Sequence, residues 1–128
     1  MIKVLLVDDN TIIRKATNRF LPKKGKISVV GECLDGKDVL NFLKKETVDV
    51  ILMDISMKYV GGIEATKIVK QKYPEVKVIA FSNHTEKSYK DEMFLAGASD
   101  YIDKGTEIRV IRKIIKAVVS EERSYSVR

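Results

Sequence analysis

The chain contains one cysteine, one histidine, two prolines and no long apolar run. Cys33 alone cannot close an internal disulfide, which fits a reducing compartment, and it reads as a small packing residue. A lone Cys and a lone His offer no soft ligand cluster, so any metal here has to be held by oxygen. A bilayer-spanning helix needs roughly 18 or more consecutive apolar residues. None occurs, and no membrane partner is expected. The opening run, Met-Ile-Lys-Val-Leu-Leu-Val-Asp-Asp, reaches paired acids before a cleavable signal could form, so the expectation is a cytoplasmic protein. Repeats, low-complexity segments and internal linkers are also missing. What remains, 128 residues that are 45% apolar and 33% charged, is enough for one folded domain and too apolar for a disordered chain. The net charge of +6 is spread from Lys3 to Arg128, with some enrichment near the end. Without a concentrated stripe or a reading element it suggests a solvated basic surface, or one suited to an acidic partner, rather than a nucleic-acid interface.

Short apolar runs alternate five times with amphipathic stretches. Ile2–Val7 reads as a buried strand that stops at two acids, and Thr11–Leu21 as a helix closed by Pro22. In that helix Ile12, Ala16 and Phe20 recur every four residues and predict the buried face. Ile27–Cys33 is the second strand, Asp35-Gly36 a turn, and Lys37–Glu46 a helix. A third strand, Val48–Met53, stops at Asp54. After the loop Ile55–Gly62 comes a helix from about Ile63 to Tyr73, ended by Pro74. Val76–Phe81 is the fourth strand, followed by a helix over about Glu86–Ala96 with Gly97 placed to cap it. A short fifth strand lies near Asp100–Ile102. The last helix, from about Glu107, carries Ile111, Ile114, Ile115 and Val118 on one stripe, and the segment from Ser120 onward reads as a polar tail or the start of a linker. Parallel neighbours need crossovers, and helices supply them, so the expected fold is a single doubly wound α/β domain covered on both faces.

In such sheets ligands collect beyond the carboxyl ends of the strands. Those ends bring Asp8, Asp9 and Asp54 together with Ser82 and Lys104. Three carboxylates at close range repel unless a cation joins them. An all-oxygen set selects a hard ion such as Mg²⁺ (or Mn²⁺), which can neutralise charge on a phosphoryl oxygen. One carboxylate is then free to act as a nucleophile and form an aspartyl phosphate.

These residues sit in runs that resemble the receiver domain of two-component response regulators: Leu6-Val7-Asp8-Asp9-Asn10, Leu52-Met53-Asp54-Ile55-Ser56-Met57, Gly62-Ile63-Glu64-Ala65-Thr66 and Gly97-Ala98-Ser99-Asp100-Tyr101-Ile102-Asp103-Lys104. The likeness covers about residues 2 to 119, and we take 1–119 as the receiver and 120–128 as the tail. It implies a (βα)5 flavodoxin-like fold with strand order 2-1-3-4-5. It also implies that Asp54 is the phosphoacceptor and that Asp8, Asp9, Asp54 and the Ser56 carbonyl hold Mg²⁺. Lys104 and Ser82 would bind the phosphoryl group, and Ser82 and Tyr101 would form a switch pair. The implied partners are a sensor histidine kinase or phosphotransfer protein and a downstream protein on the face made by the fourth helix, fifth strand and fifth helix. Homodimerisation on activation stays open.

The sequence departs from the family pattern beside the site. Met57-Lys58 stands where Met-Pro is common, which predicts a looser loop. Asn83 and His84 follow Ser82 where a small residue is frequent, and Gly105 follows Lys104 in place of proline. Lys58, Asn83 and His84 are therefore candidate modulators. Three other functions compete. One is the receiver half of a transcription regulator, whose DNA-binding half the segment after Val119 is too short to supply, so no direct nucleic-acid binding is expected. A small phosphate-ester hydrolase would place an acid two residues past the nucleophile, where Ser56 stands. A flavodoxin-like electron carrier would suffer repulsion between Asp8-Asp9 and the flavin phosphate.

Overall fold

The computed structural model describes residues 1–84 and 86–127, with 122–127 described by backbone alone. The elements run β1 (Ile2–Val7), α1 (Thr11–Phe20), β2 (Ile27–Cys33), a 3₁₀ turn (Gly36–Asp38), α2 (Val39–Lys45), β3 (Val50–Met53), α3 (Gly62–Lys72), β4 (Lys77–Ser82), α4 (Lys87–Ala96), β5 (Asp100–Asp103) and α5 (Ile108–Val127). All strand pairs are parallel, in the order β2-β1-β3-β4-β5.

The sheet is buried on both faces, and strand alternation divides its side chains between two cores. Leu5, Val7, Ile51, Met53, Val78 and Ala80 point to one side, where Val39, Leu43, Ala65, Val69 and Met93 bring in α2, α3 and α4. Val4, Leu6, Val50, Leu52, Ile79 and Phe81 point to the other, against Leu21 and the α5 stripe Ile111, Ile115 and Val118. A one-residue slip would exchange the two sets, so the register is strongly specified. Gly97 closes α4 with φ +115°, a left-handed cap that favours glycine.

Two elements differ from the sequence expectation. Ile12 and Phe20 of α1 are 82% and 55% exposed, and Ala16 is exposed with them. The buried face is instead Ile13, Arg14 and Thr17, running into Leu21. Apolar spacing selects the wrong face because Arg14 has buried partners that outweigh its polarity. The other difference is α5, which continues to Val127 where a polar tail from Ser120 is expected. No glycine or proline interrupts 108–127, and extending an existing helix requires no new nucleus. Among the described residues no helix is long and apolar enough to cross a membrane.

Candidate functional site

The chain passes from β1 outward to β2 and then back to β3 on the other side of β1. The carboxyl ends of β1 and β3 therefore flank the point where the winding reverses. Asp8 and Asp54 are the first residues beyond those ends, and both continue the ladder: the Asp8 N–H donates to the Cys33 carbonyl at 3.0 Å and the Asp54 N–H to the Val7 carbonyl at 2.9 Å. Backbone bonding thus fixes where each carboxylate starts. Asp9 joins them, and one oxygen from each of Asp8, Asp9 and Asp54 lies within 4.8 Å of the others.

Lys104 enters from just past β5. Its N–H donates to the Ser82 carbonyl at 3.1 Å. Its buried Nζ lies 2.7 Å from Asp8 Oδ2 and 3.4 Å from Asp54 Oδ1. The contact to Asp8 is a charge contact outside hydrogen-bonding geometry, and Oδ2 is left buried without a hydrogen-bond partner. Oδ1 of the same carboxylate accepts from the Asn10 N–H at 2.9 Å. A buried carboxylate oxygen with a spare lone pair, beside two more carboxylates, fits a hard divalent cation held by oxygen.

Burial pushes the Asp54 carboxyl up to about 6, against the pull of Lys104 and with further push from the charges of Asp8 and Asp9. An acid raised this way stabilises the fold while neutral, and that contribution is lost as pH climbs from about 4 through about 6. A divalent cation would need the ionised form, so protons and an ion such as Mg²⁺ would compete at this carboxylate. Below pH 6 the apparent Mg²⁺ affinity should fall by up to about tenfold per pH unit from this one proton. Thermal-shift titrations with MgCl₂ at pH 5 and pH 7.5 measure it, and equal midpoints at the two values would contradict the linkage.

Ser82 is fully buried, and its Oγ accepts from the His84 N–H at 3.0 Å. Tyr101 is half-buried against the core on the α2–α4 side, and its hydroxyl donates to the His84 carbonyl at 2.5 Å. Burial raises the Tyr101 phenol, opposed by the Ser82 hydroxyl and assisted by Glu86, Asp103 and Asp54. The His84 ring lies 2.9 Å from the Ser56 hydroxyl and packs on Tyr89 with ring centres 4.7 Å apart. Asn83 is exposed. Lys58 is exposed too, with its amine 5.2 Å from the Tyr59 ring centre.

The loop without proline is tied down by another route. Buried Asp35 accepts from the N–H groups of Tyr59 and Val60, each at 2.8 Å, and of Lys37 at 3.1 Å. The Gly36 N–H adds a bond to the Val60 carbonyl at 3.1 Å. Burial pushes the Asp35 carboxyl upward, but these backbone donors outweigh it and hold it below its ordinary value. The expected looseness is thus offset by a carboxylate from the β2 end. At the other departure, the Gly105 N–H that a proline would lack donates to Asp103 Oδ1 at 2.7 Å. Spacing alone does not single out Asp35 or Arg14. The only sequence signal for Asp35 is its place before Gly36 in a turn.

Fold and pocket together define a doubly wound, flavodoxin-like α/β domain that gathers three carboxylates and an ammonium at one rim. The family model described as the response regulator receiver domain matches residues 4–116, and the chain belongs to that family. It is 38% identical over 123 residues to the response regulator UvrY of Escherichia coli (strain K12), covering 96% of this chain and 56% of that protein. It is 33% identical over 126 residues to the response regulator GacA of Pseudomonas syringae pv. syringae, covering 98% of this chain and 59% of that protein. The chain therefore spans little more than half the length of these curated relatives. Among solved structures, the signal receiver domain of the putative response regulator NarL from Mycobacterium tuberculosis superposes with a TM-score of 0.85 at 27% identity, covering 93% of this chain and 96% of that one.

Proposed function

We propose that this receiver accepts a phosphoryl group on Asp54 from a phosphohistidine of a sensor histidine kinase or phosphotransfer protein. The observation that carries the reading is the convergence of Asp8, Asp9, Asp54 and the Lys104 amine from three strand ends. An Asp54 carboxylate oxygen attacks phosphorus, the N–P bond of the donor breaks, and the histidine nitrogen leaves with the electron pair and picks up a proton. Asp8, Asp9, Asp54 and the Ser56 carbonyl are the groups that would hold Mg²⁺. That ion supplies charge neutralisation for the phosphoryl oxygens. Lys104 supplies a second positive charge, and the Ser82 hydroxyl a hydrogen bond. The product is a switch state, with at most slow self-dephosphorylation.

Transmission follows from what Ser82 touches. A Ser82 hydroxyl drawn to the phosphoryl group releases the His84 N–H, and Tyr101 is bonded to the carbonyl of that same residue. The α4–β5–α5 face is thereby biased between two packings, ready for a downstream protein or a second copy. His84, bridging to Ser56, is the best placed of the candidate modulators to limit access of water and small donors. Lys58 and Asn83 would act only from the rim. The setting we assign is the cytoplasm.

Intact mass spectrometry after incubation with Mg²⁺ and an acyl-phosphate or phosphohistidine donor tests the reading. One added phosphoryl group, lost in acid or base and absent when Mg²⁺ is chelated, is the expected result. Lys104→Ala should still take up label at a reduced level. Its phosphorylation should produce little of the amide chemical-shift change seen on the α4–β5–α5 face of the wild-type chain, and full-sized shifts would remove Lys104 from the switch.

A second reading has specific support: the matched region covers only 56% and 59% of these two relatives. On that reading residues 1–119 are the receiver half of a DNA-binding regulator and 120–128 lead into a linker. A reading frame continuing past the codon for Arg128 into a helix-turn-helix would establish it.

A further inference from the structure

Arg14 is a charged residue on the buried face of α1, with 5% of its surface exposed. Its Nε donates to Glu32 Oε1 at 2.7 Å, and its Nη1 donates to the Asp8 backbone carbonyl at 2.8 Å. Glu32, on β2, is braced in turn by Asn18 Nδ2 at 2.5 Å and Lys15 Nζ at 3.2 Å. One planar fork therefore ties the turn after β1 to the strand beside it.

Placing a guanidinium there is a poor way to stabilise a helix face. Buried ion pairs lose most of their Coulomb gain to desolvation, and replacing both partners by well-packed apolar residues is commonly neutral or stabilising, whereas removing one partner alone is costly. The neighbouring positions, Ile13 and Leu21, show that this face accepts apolar residues. What an apolar residue could not supply is the bond to the Asp8 carbonyl. Each polar group of Asp8 is engaged on one side: its N–H by Cys33, its carbonyl by Arg14, Oδ1 by the Asn10 N–H, and Oδ2 against Lys104. With three of these four contacts fixed by backbone or by α1, the carboxylate has little freedom to swing away from Asp54.

We propose that Arg14 is a positioning residue for the metal site, holding the β1–α1 turn through Asp8 and braced by Glu32. The proposal rests on the reading of Asp8 as part of the Mg²⁺ site. Groups that orient ligands without touching the metal typically account for about 10- to 100-fold in affinity.

The test is Mg²⁺ binding by the unphosphorylated chain, measured by isothermal titration calorimetry alongside thermal denaturation in EDTA. Arg14→Met leaves Glu32 and the buried Asp8 carbonyl without this donor, so it should unfold below the wild-type temperature and bind Mg²⁺ about tenfold more weakly. Arg14→Lys, which keeps the charge but has no planar fork, should fall between the two. Val118→Ala, a core truncation with no polar link to the pocket, should lower the unfolding temperature and leave the Mg²⁺ affinity unchanged. A folded Arg14→Met with wild-type affinity would overturn the proposal. If that variant does not fold, Glu32→Gln carries the test: about threefold weaker binding supports the brace, and unchanged binding overturns it. A wild-type chain that binds no Mg²⁺ would instead overturn the functional reading beneath.

Discussion

Asp54→Asn should lose all acid-labile phosphoryl label and, in the absence of metal, be more stable than the wild-type chain at neutral pH. The first effect follows from the nucleophile, because a carboxamide has no anionic oxygen to attack phosphorus and none of the neighbouring carboxylates is the acceptor in the proposed reaction. The second follows from burial. Above pH 6 the wild-type chain carries an ionised carboxylate in a site that favours its neutral form, with Asp8 and Asp9 adding repulsion. Asparagine keeps the shape and removes that charge. The gain should be about 1–3 kcal/mol at pH 7.5 and should vanish near pH 4, where the wild-type carboxyl is itself neutral. Chemical denaturation of both proteins in EDTA across that range measures it. Saturating Mg²⁺ should then favour the wild type, since the ion needs the charge that destabilises the apo form. Undiminished label in the variant would move the acceptor elsewhere. A stability gain that persists at pH 4 would detach it from ionisation.

Gly62→Ala should be the most damaging small substitution in the loop. A Cβ at that position would stand 2.0 Å from the Asp54 carbonyl oxygen and 2.8 Å from its carbon. Both partners are backbone, and the Gly62 N–H is already bonded to the Ile55 carbonyl at 2.7 Å, so relief requires moving Asp54 itself. We expect a loss of about 2–4 kcal/mol, or about 10 °C in unfolding temperature, together with weakened Mg²⁺ binding. Gly25→Ala provides the contrast. Its φ of +76° disfavours alanine, but no atom lies within 4 Å of the added Cβ. It should cost only about 1 kcal/mol and leave Mg²⁺ binding alone. Equal effects of the two substitutions on Mg²⁺ binding would refute the close approach at Gly62.

The rim of acids was legible because it obeys a topological rule. Asp8 and Asp54 each end an apolar run, and a parallel sheet sends such ends to one edge, so no distance was needed to group them. Arg14 was not legible, because its burial depends on Glu32, 18 positions away on another element, and a single arginine within an amphipathic helix ordinarily faces water. The same hidden partner is why α1 turned Ile12 and Phe20 outward against the apolar count. Asp35 escaped notice for a related reason. As a turn residue it is ordinary, and only the fold sets it beneath the amides of Tyr59 and Val60. The C-terminal part of α5 was misread because aperiodic polarity says nothing against a helix that has already begun.

The three attachments of residue 84 have a mechanical meaning. Its amide is tied to Ser82, its carbonyl to Tyr101 and its ring to Ser56, so the strand-four hydroxyl and the strand-five ring hang on a single linkage. On the proposed switch, displacement of the hydroxyl frees that amide, so residue 84 loses one of its three tethers and any shift it then makes is handed to the phenol through its carbonyl.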